Sequence, residues 1–147
     1  MSDIEALRRL ISDYNMNGDR GRMAAMGALF GEDGVLEAQR FRLTGAKEIS
    51  EKLGGTVSST AKPPLFMRHN LTTSQFDFVD AENATGRHYF MVVTEIGLDH
   101  MGVYVDKYRK RDGAWRFAHR RVQMDYFAPD SGFGGPGSVP ERRRARA

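Results

Sequence analysis

The stretch 100-HMGVYVDKYRKRDGAWRFAHRRVQMDYF-127 decides the fold. Two runs rich in Val, Tyr, Phe and Trp flank Arg111-Asp112-Gly113. Asp-Gly between such runs signals a tight hairpin, because both turn residues must take positive φ. The second run is unusual. Strict alternation puts Ala114, Arg116, Ala118, Arg120, Val122, Met124 and Tyr126 on one face, and Trp115, Phe117, His119, Arg121 and Gln123 on the other. Each face then mixes bulky apolar groups with cationic ones. An arginine on a covered face is costly unless paired. The strand therefore demands an anionic partner: a carboxylate, a neighbouring subunit or a substrate.

Working backward, Leu65–Val79 and Thr85–Leu98 are two further β runs, separated by turns at Asp80–Asn83 and Gly97–Asp99. Consecutive strands with short turns are antiparallel. The N-terminal part has a different texture. Ser2-Asp3-Ile4-Glu5 has the form of a capping box, and Ile4, Leu7, Leu10, Ile11 and Tyr14 form one helical stripe. Asn17-Gly18 is read as the end of this helix, with Gly18 as a left-handed cap. A second helix is expected over about Asp19 to Phe30, two short strands over Val35 to Leu43, and a third helix over Ala46 to Leu53 with Thr44 as cap and Gly54-Gly55 as stop. Thr56 to Pro64 reads as a loop, since Pro-Pro forbids regular structure. Helices followed by a long meander define an α+β class.

Composition narrows the function. The chain of 147 residues suits one domain with its own core. We expect the domain over 1–130 and a flexible Gly/Pro-rich basic tail over 131–147. The net charge of +3 resides in that tail, where Arg142, Arg143, Arg144 and Arg146 oppose Glu141. The rest of the chain is neutral, so nucleic acid is not an expected partner. No run has the roughly 20 apolar residues of a membrane span, and residues 1–30 lack a signal-peptide layout. With no Cys there is no thiolate nucleophile and no Cys-bound zinc. The four histidines show no metal-binding spacing. The expectation is a cytoplasmic protein with neither metal nor cofactor.

Several features together resemble a known group. Leu10-x-Ser12-Asp13, Asp19, Arg68-His69, Phe78-Val79, Arg111-Asp112-Gly113-x-Trp115-Arg116-Phe117 and Tyr126-Phe127 resemble the SnoaL-like branch of the nuclear-transport-factor-2-like (NTF2-like) superfamily. That branch holds hexachlorocyclohexane dehydrochlorinase, bile acid 7α-dehydratase and scytalone dehydratase. The resemblance implies a cone: three N-terminal helices packed on a curved antiparallel sheet that encloses a pocket. It implies a His on the third strand working with an Asp at the first helix corner, which places His69 with Asp19. It also implies an Arg near the end of the last strand, best matched by Arg120, and a Tyr five residues before the Asp, matched by Tyr14. Where scytalone dehydratase carries a second His on its next strand, this chain is read as having Thr94, which leaves a scheme with one base.

The chemistry suits such a set. An imidazole is poised to accept a proton at neutral pH, and a carboxylate on its other nitrogen fixes the tautomer. Arg120 would hold developing negative charge. Hydroxide, the conjugate base of water with a pKa of about 15.7, leaves poorly without an acid, and a phenol near pKa 10 can serve. A dehydratase is therefore favoured over a dehydrochlorinase, with a hydrophobic cyclic substrate resembling a steroid or polyketide. Met23, Met67, Leu71, Phe90, Val92 and Thr94 are the expected pocket residues. Two alternatives share this fold: an isomerase or polyketide cyclase, and a noncatalytic small-molecule-binding module. Structural readings also exist: Asp19 as an N-cap of the second helix, Tyr14 as the end of an apolar stripe, His69 as a core histidine, Arg120 as a subunit contact. A homo-oligomer is expected, trimer before dimer, on the premise that Trp115 or Tyr104 lies on an outer sheet face.

Overall fold

The structure is a computed structural model that describes residues 1–58 and 63–134. Helix α1 spans Asp3–Asp19, α2 Met23–Gly27 and α3 Gly45–Ser58; strands are β1 Phe30–Ala38, β2 Phe41–Thr44, β3 Arg68–Phe78, β4 Asn83–Thr94, β5 Gly97–Arg111 and β6 Ala114–Phe127. The six strands form one sheet in the order β2-β1-β6-β5-β4-β3. The helices pack on this curved sheet as the sequence implied, but the sheet is mixed. The long strands pair antiparallel, whereas β1 joins β6 in parallel.

Ser2 caps α1 through the expected box, accepting from Glu5 N–H while Glu5 accepts from Ser2 N–H. Leu7, Leu10, Ile11 and Tyr14 then bury against the sheet. The helix does not stop at Gly18. It runs on to Asp19 and closes in a Schellman turn: Gly21 takes φ 68°, Arg22 N–H donates to Asn17 O at 2.8 Å, and Gly21 N–H donates to Gly18 O at 3.0 Å. Gly21 rather than Gly18 supplies the left-handed residue. The second helix is accordingly shorter than expected, and Phe30 opens β1 instead. Helix α3 continues through Gly54-Gly55 to Ser58; of the rest of the expected loop, Pro63 and Pro64 have no regular structure, as expected, and residues 59–62 lie outside the described residues. Asp112 and Gly113 both have positive φ, 50° and 76°, and close the expected hairpin.

Strand β6 resolves the puzzle of its mixed faces. Phe117 pairs with Tyr108 and His119 with Lys107, so Ala118 is a bulge residue. A bulge shifts the alternation by one. Trp115, Phe117 and Arg120 are thereby all buried on the inner face, with half-buried Val122 and Met124 following. Asp106 stands directly opposite Arg120. Its carboxylate accepts from Arg120 Nε at 2.9 Å and from Nη2 at 2.6 Å. The anionic partner the strand demanded is thus a carboxylate of the same chain, not a neighbouring subunit. The premise for the oligomer also changes: Trp115 and Tyr104 are buried, and Trp115 Nε1 donates to Asp3 at 2.9 Å.

The tail begins later than residue 130. Ser131 and Phe133 pack on the body, against Asp99 and His100. The expected flexibility of the remaining tail falls on 135–147, outside the described residues. Among the described residues, no helix is long and apolar enough to cross a membrane.

Candidate active site

Asp19 occupies the last turn of α1, where the helix dipole disfavours a carboxylate. It does not cap α2, whose N-cap is Arg22 without a side-chain bond. Its partners lie on β3 instead. Asp19 Oδ2 accepts from the His69 backbone N–H at 2.8 Å, and Oδ1 lies 2.6 Å from His69 Nδ1. One carboxylate therefore holds both the main chain and the ring of the same residue. The Asp19 side chain is 9% exposed and that of His69 17%, so the pair is sheltered yet open on one side. With Nδ1 carrying the proton toward Asp19, Nε2 is left as the basic atom.

The pair lies in the wall of a cavity of about 780 Å³ between α1 and β3. Ser12, Asn15, Met16 and Arg20 line it from the helix, and Arg68, Asn70 and Leu71 from the strand. Its wall is partly polar. Of the expected pocket residues, Leu71 alone appears in this lining. Met23 and Met67 pack against the core. Phe90 stacks on Tyr104 with centroids 4.3 Å apart, and Val92 is sealed within the sheet between β3 and β5. Thr94 Oγ1 donates to Asp99 at 3.2 Å, and Thr94 lines a separate hollow. The burial of Phe90, Val92 and Thr94 follows from the flanking of β4 by strands on both sides.

Tyr14 and Arg120 sit behind the dyad, in the core. Arg120 is fully buried, and its guanidinium lies 4.3, 3.9 and 4.3 Å from the ring centroids of Tyr14, Tyr104 and Phe117. Burial opposes its charge, but Asp106 outweighs that and keeps its pKa raised. Its Nη1 is buried with no hydrogen-bond partner among the described residues. Tyr14 meets Phe30, Tyr104 and Phe117 edge-on. Burial pushes the Tyr14 phenol up, although the Arg120 charge works the other way. Neither side chain is in the cavity lining.

The remaining histidines are each held by a neighbour. His88 is fully buried, 2.8 Å from Tyr108 Oη, which in turn donates to Asp106 at 2.6 Å. His119 meets Glu37 at 2.8 Å. His100 Nδ1 lies 2.7 Å from Asp99 Oδ1, and its ring centroid lies 6.3 Å from that of His69. This second histidine–carboxylate pair is not apparent from the sequence, because adjacent strand residues ordinarily face opposite ways. Among the described residues, no group of three or more His, Asp and Glu could hold a metal ion.

A helix-covered curved sheet with a His–carboxylate pair at a cavity defines an α+β cone with a candidate acid–base centre. The chain belongs to the SnoaL-like domain family, whose model matches residues 1–121. No curated protein sequence matches it. Solved structures extend the likeness. A function-unknown protein of Mycobacterium tuberculosis, Rv3472, is 25% identical with TM-score 0.74, over 93% of this chain and 80% of that one. A Novosphingobium aromaticivorans protein named as a candidate scytalone dehydratase is 24% identical with TM-score 0.69, over 93% and 95%. The hexachlorocyclohexane dehydrochlorinase LinA-type3 of Novosphingobium barchaimii is 22% identical with TM-score 0.74, over 92% and 93%. At these identities the last two establish the shared fold alone.

Proposed function

We propose that the chain is a cofactor-independent lyase, a dehydratase acting on a cyclic, largely apolar substrate with a hydroxyl β to a carbonyl. The observation that carries this reading is the two-point hold of Asp19 on His69 at the cavity wall. His69 Nε2 takes a proton from the carbon next to the carbonyl. The released electron pair forms the carbon–carbon double bond, the carbon–oxygen bond breaks, and the hydroxyl takes a proton from solvent on the open side of the pair and departs as water, while His69 returns its proton to that solvent. Asp19 holds the ring tautomer and balances the imidazolium as it forms. Arg68 and Asn70 at the same wall would meet the substrate's carbonyl or hydroxyl groups. The lyase names among the structural neighbours support the class.

The test is incubation with a panel of β-hydroxy ketones and hydroxysteroids in D₂O. The expected product is lighter by one water, and His69→Ala abolishes its formation. Deuterium uptake without mass loss would place the chain with isomerases. Bound ligand without chemistry would make it a binding module.

A further inference from the structure

Asp99 and His100 are neighbours on β5, yet both are buried on the inner side. A bulge allows this. Val92 pairs with His100 and Val93 with Leu98, so Asp99 has no residue opposite it. The Asp99 carboxylate is held from three directions: His100 Nδ1 at 2.7 Å and Ser131 Oγ at 2.6 Å on Oδ1, and Thr94 Oγ1 at 3.2 Å on Oδ2. It fixes the His100 ring as Asp19 fixes that of His69. Phe127 and Phe133 flank that ring, with centroids 5.9 and 5.1 Å away.

The sheet register makes the two histidines face one another. His69, Val92 and His100 stand opposite each other across β3, β4 and β5. Two strand spacings separate their backbones by roughly 9.6 Å. Their ring centroids are nevertheless only 6.3 Å apart, at 81°. Both imidazoles therefore lean over Val92 toward each other. Phe90 lies 6.2 Å from one ring and 6.4 Å from the other and floors the gap. Gly102, opposite Phe90, makes room for it; a Cβ there would come within 3.0 Å of Phe90 Cζ and would collide with Gln123 O. Each ring spends Nδ1 on its carboxylate, and neither Nε2 bonds a described residue.

We infer that His100 is the second proton-transfer group of this centre, delivering to the leaving hydroxyl the proton that hydroxide needs, while His69 takes the proton from carbon. The inference rests on the lyase reading of His69. The cycle balances with one proton shared by the two rings. It starts from the form with His69 neutral and His100 protonated, which burial of His100 makes the minor form at neutral pH. The C–H bond breaks toward His69, the carbon–oxygen bond breaks, and His100 gives its Nε2 proton to the oxygen, releasing water. The rings end with His69 protonated and His100 neutral, and one transfer between them restores the start. Two facing cations are disfavoured at this separation, so the pair carries at most one proton. Burial and the His69 charge both lower the His100 pKa, against the pull of Asp99. The titratable groups facing His100 are Asp99 and His69, with Asp19 behind the latter. β4 and β6 present Val92, Phe90 and Phe127. Glu95 and Asp130 share with Asp99 a hollow of about 370 Å³.

Two measurements test the pair. The first is an NMR titration of the imidazoles in the intact chain and in His69→Gln. His100 is expected to titrate at higher pH in the variant; an unmoved titration overturns the facing pair. The second compares 4-hydroxy-2-decalone with 4-chloro-2-decalone as probes. Chloride leaves without a proton, so His100→Gln is expected to lose at least about 100-fold on the hydroxy probe and less than about fivefold on the chloro probe. His69→Gln is expected to lose both. Equal losses on the two probes, or none, overturn the role of His100. An unsubstituted chain that turns over neither probe refutes the lyase reading of His69 instead, and the titration alone then decides whether the rings are coupled.

Discussion

Asp19→Asn isolates what the Asp19 carboxylate does. The substitution keeps shape and removes one acceptor. In the native site Oδ2 serves the His69 backbone N–H and Oδ1 serves the ring. Asparagine has one oxygen and one NH₂. If the oxygen stays on the backbone N–H, the NH₂ faces Nδ1 and donates to it. The ring proton then moves to Nε2, and the base is gone. The reverse orientation keeps the active tautomer but sets NH₂ against the backbone N–H, and an unsatisfied donor costs about 1–3 kcal/mol. That difference alone leaves the active tautomer at roughly one part in 5 to 150. Loss of the charge that balances the imidazolium adds to it, for a total fall in elimination rate on the order of 10²–10⁴. Long-range ¹⁵N NMR reads the His69 tautomer without any substrate, and the D₂O elimination assay reads the rate. A variant that keeps its proton on Nδ1, or turns over within about threefold of the parent, would refute the reasoning.

Other perturbations read other parts of the fold. Asp106→Asn leaves Arg120 charged and buried, and is expected to cost about 3–5 kcal/mol. By denaturant titration Asp106→Leu with Arg120→Met should recover most of that loss; a single variant losing under about 1 kcal/mol would show the pair to be dispensable. His88 is pushed down to about 4, first by burial and then by the Arg120 charge, against Asp106. Its folded pKa lies below the unfolded one, so the unfolded chain takes up the proton first as pH falls. Stability is unaffected by His88 above about pH 6.5 and is lost progressively down to about pH 4, by about 3 kcal/mol in all. Melting curves of the parent and His88→Gln between pH 7 and 4 check this, and parallel pH dependence would refute it. On the outward face, Met91, Met101 and Tyr126 stand opposite one another and are 36%, 37% and 40% exposed. This apolar row is where a second copy would pair, so Met101→Asp is expected to turn a trimer or dimer into a monomer in sedimentation velocity. A parent chain that is already monomeric removes the expectation.

Much of this architecture is legible in the residues. Asp112-Gly113 fixes the last hairpin, Ser2 and Glu5 fix the helix start, and the order of textures gives the α+β class. The Asp19–His69 contact follows from a resemblance, since no local pattern joins residues 50 positions apart. The signals that mislead are those that count residues. Gly18 and Gly21 are equal candidates for a helix stop by composition, and only the capping bonds choose Gly21.

The bulges explain the rest. Counted outward from Asp112-Gly113, an unbroken ladder pairs Arg111 with Ala114, Tyr108 with Phe117, and then Asp106 with His119. Arg120 would face outward with the polar groups. The extra residue at Ala118 moves Arg120 opposite Asp106 and turns it into the core. A second bulge, at Asp99, places a carboxylate beside the histidine that follows it on the same face. In both cases the charge finds its counter-charge because the alternation is broken. Strand periodicity can see neither event, since it assigns faces by parity, and parity is what a bulge reverses. The buried polar pairs next to these two bulges are therefore the parts of the sequence where a strict strand pattern should fail, and their failure locates His100, which faces His69 over Val92, as well as the ion pair that supports the core behind them.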